Sequence, residues 1–254
     1  MDAKIYRTVL SLTGLGALIG AWALVHFAYG PLVLPRPDLA ARELFALFAS
    51  GEAEKALLST LVHSLAGWAV GCAFGLGLGL LGGLWTPAGL ALRPVATALL
   101  GTPPVAWLVL AALWFGANGF DAAFTVAVVV LPVVFVAAIH GLDARDLRLD
   151  EMAAGFSAPA WQRFTDILAP QIFAHFLPAA ATALGFALKV CVMSEVMASG
   201  TGIGGQLAAA RANLDLEGTM AWILLVVALV LILDLALIAP FRRLFQTMRA
   251  PAGG

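Results

Sequence analysis

Ionisable residues inside long apolar runs are the first candidates for chemistry in this chain, because a charge in such surroundings needs a partner, a cavity or a substrate to offset its cost. Three stand out: Lys189 and Glu195 in one run, and Asp234 in another. Lys189 and Glu195 are six positions apart, about 240° around a helix, so they are not an i,i+4 pair. Lys189 is surrounded in sequence by Phe186, Leu188, Val190 and Val192. It therefore needs a cavity or an acidic group on another helix, unless it snorkels to the headgroups. In a narrow path its charge would concentrate an anion. Lys189 and Glu195 are translocation-path candidates on this ground, with structural pairing the default for Glu195 and Asp234. The basic residues that follow Asp234, Arg242 and Arg243, start about 12 Å further along a helix.

Other reactive types are scattered. His26, His63, His140 and His175 fall in or at the ends of different apolar runs, without metal-ligand spacing, and read as interior or interfacial residues. Cys72 and Cys191 lack the paired spacing of a metal or redox site and read as small packing residues. No Gly-rich loop leads into Lys-Ser or Lys-Thr, so this chain alone has no P-loop for ATP. No catalytic set and no metal site is read from it. A formal net charge of −1 gives no basic excess to attract nucleic acid.

The elements that must hold these residues are membrane spans. The 254 residues are 62% hydrophobic and 11% charged, with a mean hydropathy of +0.97, against roughly 45–50% apolar and 25% charged in soluble domains. Crossing the hydrocarbon takes about 20 apolar residues, and six segments supply them: 8–29, 59–84, 95–115, 121–141, 173–197 and 219–241. The first follows Lys4 and Arg7 as a signal peptide would, but it is too long for one, and Trp22, His26 and Tyr29 crowd its end. Arginine and lysine favour the cytoplasmic side. Nine of them, including Arg145, Arg148, Arg163, Arg242 and Arg243, fall together if the N-terminus is inside, against four on the other side. Both termini and the 142–171 loop are therefore expected in the cytoplasm. The expected organisation is an N-terminal span and linker (1–58), a transmembrane domain (59–241) and a short cytoplasmic tail (242–254).

Gly67, Gly71, Gly75, Gly79 and Gly83 lay a strip without side chains along the second span. Backbones can approach closely there, so the strip is expected to be the crossing face for another helix or a second protomer. Prolines punctuate three later spans: Pro103 and Pro104 in the third, Pro132 in the fourth and Pro178 in the fifth. Each removes a helical hydrogen bond. Broken helices tend to line protein interiors and transport paths, which makes Pro103 and Pro104 path candidates, although a static kink serves packing equally well.

The 142–171 loop reads as two short helices with a turn at Ser157 to Pro159. In the second, Trp161, Phe164, Ile167 and Leu168 are expected on one face, with Gln162, Arg163 and Asp166 pointing elsewhere. An amphipathic hairpin between spans suits a groove on a cytoplasmic partner, or else the headgroup layer of the lipid.

Glu151-Met152-Ala153, Ser157 and Ile167-Leu168-Ala169-Pro170 resemble the EAA loop of bacterial ABC import permeases: Glu-Ala-Ala, three residues, Gly, nine residues, Ile-x-Leu-Pro. The spacing fits throughout, with Met152, Ser157 and Ala169 departing from the pattern. Thr60 to Gly67, Gly101-Thr-Pro-Pro-Val105, Trp114-Phe-Gly116, Ser194-Glu-Val196, Gly202-Ile-Gly204 and Asp234 extend the resemblance towards the nitrate, sulfonate and taurine permease group.

This resemblance implies an all-α polytopic subunit of the type I ABC importer permease kind in the bacterial inner membrane. It implies a homodimer, with two ATP-binding cassette subunits that bind ATP and Mg docked on the loops through Glu151, Ala153, Ser157, Trp161, Phe164, Ile167 and Pro170. A periplasmic binding protein would deliver the solute, and this chain would itself carry no cofactor and no catalytic residue. The solute expected by analogy is a small anion, with a vitamin or its precursor as the alternative. A secondary transporter working without ATP is the other class in play, but inverted repeats that would favour it are not evident.

Overall fold

The computed structural model describes residues 3–198 and 200–238, and among these every regular element is helical. In chain order they are α1 (Ala3–Tyr29), α2 (Pro37–Ala49), α3 (Glu52–Leu84), α4 (Thr86–Gly101), α5 (Pro104–Phe115), α6 (Phe120–Asp143) and α7 (Leu147–Gly155). Then come α8 (Ala160–Gln162), a π-helical stretch Arg163–Leu168, α9 (Ala169–Met197), α10 (Gly202–Ala212), α11 (Leu216–Leu233) and a second π stretch, Asp234–Ile238.

Four of the described helices, Glu52–Leu84, Phe120–Asp143, Ala160–Met197 and Leu216–Ala236, are long and apolar enough to cross a bilayer. The expected third span, 95–115, is not one continuous helix. It is the pair α4 and α5, bent by 94° where Thr102 and Pro103 interrupt the helical bonds. Taken as one bent span, the pair makes a fifth. By contrast, Pro132 and Pro178 lie inside α6 and α9 without ending either helix, so the expected interruption occurs at one of the three proline sites. The expected first span falls within α1, whose stretch Gly16–Tyr29 is apolar. The boundary at 58 falls inside α3, and the 242–254 tail with Arg242 and Arg243 lies outside the described residues.

The glycine strip determines how the bundle is built. A Cβ on Gly67, Gly71 or Gly75 would meet the carbonyl oxygens of Ala123, Ala127 and Leu131 in turn, together with Val126, Val130 and Val134. Gly79 and Gly83 continue the series against Ala138 and Leu142. The crossing partner of the strip is thus α6 of the same chain. Both helices advance four residues per contact in the same direction, so α3 and α6 are parallel. A parallel pair requires the chain between them to return from the level of Gly83 to that of His63, and α4 with α5 makes that return.

α9 packs against both α6 and α3, and Cys72, Val126, Val130, Val134, Ala183, Ala187 and Cys191 belong to one buried cluster. A second core gathers Leu47 of α2, Ala53 and Ala56 of α3, Leu188 of α9, Ile203 of α10, and Trp222, Leu225 and Leu229 of α11. α1 stays peripheral. It is tied to its own linker by Trp22 Nε1 donating to Pro35 O at 2.9 Å and by His26 Nδ1 at 2.8 Å from Leu34 O.

Candidate functional site

The bundle has two specialised ends. One holds the hairpin between α6 and α9; the other gathers the starts of α3, α6 and α10 with the end of α9.

At the hairpin end, α7 is capped by Asp146, whose Oδ1 accepts from Arg148 N at 2.9 Å, and Asp146 N donates to Gln171 Oε1 at 2.7 Å. The helix closes through Ser157 N to Ala154 O and Ala158 N to Ala153 O, both 3.0 Å. This is the Schellman pattern, which puts the residue after the C-cap in the left-handed region. Ser157 is that residue, with φ +53°, at the position where the EAA pattern has glycine. Pro159 then begins the next helix.

Ala153 is buried against the bundle, while Glu151, Met152, Phe156, Trp161, Phe164 and Pro170 are exposed. The expected single apolar face from Trp161 to Leu168 is not kept. Residues 163–168 wind as a π-helix, whose i→i+5 bonding shifts each side chain relative to α-helical spacing. Trp161 and Phe164 project outward, Ile167 and Leu168 are half-buried, and Arg163, expected on the opposite side, is half-buried with its Nε enclosed and unpaired.

At the far end, Glu195 has no exposed side-chain area. Its Oε2 accepts from Thr60 Oγ1 at 2.7 Å and from Gly204 N at 3.1 Å. Its Oε1 lies 3.1 Å from His63 Nδ1 and 3.8 Å from Cys191 Sγ. Thr60 Oγ1 in turn accepts from Ile203 N at 2.9 Å. Ile203 and Gly204 belong to the first turn of α10, so their N–H groups are among those a helix leaves unsatisfied at its start, where the helix dipole also favours negative charge. Gly202 has φ +74°, and a Cβ on it would collide with the Glu195 carboxylate. A distant segment around Thr60 and two neighbouring segments, around Glu195 and Gly202–Gly204, therefore converge on one carboxylate that joins α3, α9 and α10.

Asp121 is buried beside this knot at the start of α6; its Oδ1 accepts from Gly119 N at 2.9 Å, and its Oδ2 has no partner. Glycine at 119 lets the His63 ring lie against the backbone. Possible ligand atoms of His63, Cys191 and Glu195 lie within 4.8 Å of one another, a spacing that can hold a metal ion. Both oxygens of Glu195 are already engaged, so a cation would have to displace the imidazole and thiol contacts.

Lys189 lies on a different side of α9 from Glu195. It is exposed and opens on a cavity that Asp234 also lines. Pro103 and Pro104 sit at the bend between α4 and α5. The five glycines each lie so close to α6 that a Cβ would collide with it, whereas the sequence does not present the knot around Glu195 as a unit. Thr60, Glu195 and Gly202 to Gly204 were separate motifs, and nothing in their spacing indicates that they meet.

Parallel α3 and α6, a bent returning pair, and a capped hairpin opposite a polar knot define, among the described residues, an all-helical bundle with helices of membrane-spanning length. The chain belongs to the family described as the binding-protein-dependent transport system inner membrane component, whose sequence profile matches residues 74–248. It is 26% identical over 246 residues to a probable ABC transporter permease of Brucella melitensis, covering 97% of this chain and 100% of that one. It is 23% identical over 245 residues to the taurine transport system permease protein TauC of Escherichia coli, covering 94% and 89%. It is 27% identical over 179 residues to a putative aliphatic sulfonates transport permease, SsuC, of Bacillus subtilis, covering 70% and 65%.

Among solved structures, an amino acid ABC transporter with histidines superposes with a TM-score of 0.62 at 18% identity, covering 81% of this chain and 96% of that one. The MetNI methionine ABC transporter in an inward-facing form gives 0.60 at 16% identity, with 75% and 93% covered. These support the type I importer permease fold. As a family member, the chain is a transport subunit of the inner membrane rather than an enzyme, and it works with a separate ATPase and a substrate-binding protein.

Proposed function

We propose that this chain forms the homodimeric core of an importer for a small organic anion of the sulfonate class, with both termini and the hairpin in the cytoplasm. The observation that carries the coupling part is the hairpin itself: a rigidly capped turn that leaves Phe156, Trp161 and Phe164 uncovered in this chain. Exposed aromatics on an ordered element suit a groove on a partner protein. In this reading Glu151, Ala153, Ser157, Trp161, Phe164, Ile167 and Pro170 make up the ATPase docking element. ATP and Mg are bound by the ATPase, one copy for each permease.

The anion class is supported by the relatives named for taurine and aliphatic sulfonates and by the exposed Lys189. Glu195 anchors the helix that presents Lys189, and the bend at Pro103 and Pro104 borders the path. Closure of the ATPases moves the hairpins, and the two permease copies rock between inward-open and outward-open states.

Glu151→Lys tests the docking assignment. The ATPase should no longer co-purify, or ATP hydrolysis should continue without transport, while membrane insertion stays normal. Normal co-purification together with normal transport would remove the hairpin from the coupling role.

A further inference from the structure

We propose that Lys189 and Asp234 form a water-bridged ion pair between α9 and the end of α11, so that an anion reaches Lys189 only by exchange with Asp234. The exchange clause rests on the anion reading above; the pair does not.

Both residues line a single cavity of about 260 Å³, whose other lining residues, Gly185, Leu188, Val230, Leu231 and Leu233, are all apolar. Among the described residues no other ionisable group faces into it. Among the described residues neither side chain takes part in an ion pair or a hydrogen bond with the protein. Glu195, the acid nearest to Lys189 in sequence, is already engaged by Thr60, His63 and Gly204. Glu217, at the opposite end of α11, is about 25 Å from Asp234 along the axis.

Lys189 is eight residues, about 12 Å, inward from the end of α9 at Met197. Two opposite charges sharing an apolar cavity inside a membrane span favour each other over any other group in reach. A liquid-water share of about 30 Å³ per molecule leaves room in the cavity for several waters to bridge them. Asp234 also opens a π-helical turn, a departure from α-winding that is concentrated at functional sites. The wider turn begins where the acidic side chain meets the cavity.

The pair predicts mutual compensation. Lys189→Gln and Asp234→Asn should each lower the yield of folded subunit several-fold in detergent, because each leaves one uncompensated charge in the cavity. The double neutral variant Lys189→Gln/Asp234→Asn should return to within about twofold of the parent. The reversed pair Lys189→Asp/Asp234→Lys should also recover relative to either of its single variants.

Transport of taurine by reconstituted complexes then separates the two readings. A double neutral variant that assembles but does not transport supports both the pair and the anion role of Lys189. One that assembles and transports normally retains the pair and overturns the anion role. Single variants that fold like the parent, or double variants no better than the singles, overturn the pair.

Discussion

At the Glu195 end, a carboxylate with no exposed side-chain area meets a hydroxyl, an imidazole, a thiol and a backbone N–H from α3, α9 and α10. At the hairpin end, Phe156 is 81% exposed, Trp161 65% and Phe164 50%. The first region buries a carboxylate and satisfies both of its oxygens within the chain; the second displays apolar groups that nothing among the described residues covers. A closed polar knot fixes helix positions without help, because each partner it holds would be costly to leave unpaired. An ordered apolar display has no such internal purpose, which is the ground for the docking role proposed for this end. The hairpin and the knot are joined by α9, so movement imposed at one end reaches the other through a continuous helix.

The largest effect should come from the packing that holds both ends together. Gly75→Leu places a side chain against the carbonyl of Leu131 and against Val134, neither of which can move aside. A loss of about 3 kcal/mol or more is expected, seen as failure to accumulate folded protein. Gly77→Leu, in the same helix but with open space at its Cβ, should accumulate normally. Equal behaviour of the two would show that the strip is compositional.

Next in size is the knot. Glu195→Ala leaves Thr60, His63 and Gly204 N–H without their acceptor, a loss of about 1–3 kcal/mol for buried donors left unsatisfied. Thr60→Val removes one donor and the acceptor of Ile203 N–H, and should lower the thermal midpoint less than Glu195→Ala does. If Glu195→Ala melts like the parent, the knot does not anchor the bundle.

The hairpin should respond in the opposite sense. The Trp161→Ala/Phe164→Ala variant removes side chains that support little of the fold, so the isolated subunit should keep its thermal midpoint to within about 2 °C. Capture of the ATPase should fall sharply. A destabilised subunit with intact ATPase capture would make these aromatics core residues and erase the contrast between the ends.

The smallest expected effect is at Ser157. Its φ of +53° is a conformation that disfavours residues with a Cβ, and glycine relieves that strain at some cost in unfolded-chain entropy. Ser157→Gly should raise stability by about 0.5 kcal/mol, measurable as a small upward shift of the melting curve, whereas Ser157→Val should lower it. A destabilising glycine would mean that the serine side chain contributes more than its backbone strain costs.

What the sequence determined by itself follows from short-range rules. Apolar runs of span length, the charge-rich 142–171 segment, glycines every four residues and the capped turn at Ser157 each depend on neighbours within a few positions. Hydropathy, periodicity and turn chemistry read such neighbours directly. Even the partner of the glycine strip left a trace, because Val126, Val130, Val134, Ala138 and Leu142 repeat with the same spacing of four.

The tertiary structure alone decided the rest. It turned the 95–115 run into two helices at 94°, where a Thr-Pro-Pro sequence by itself allows either a kink or a break. It brought Thr60 to Glu195 and Gly204, more than a hundred residues further along the chain, and it set Lys189 and Asp234 on one cavity. Side-chain spacing along one helix gives a face, and the identity of what meets that face is a property of the bundle.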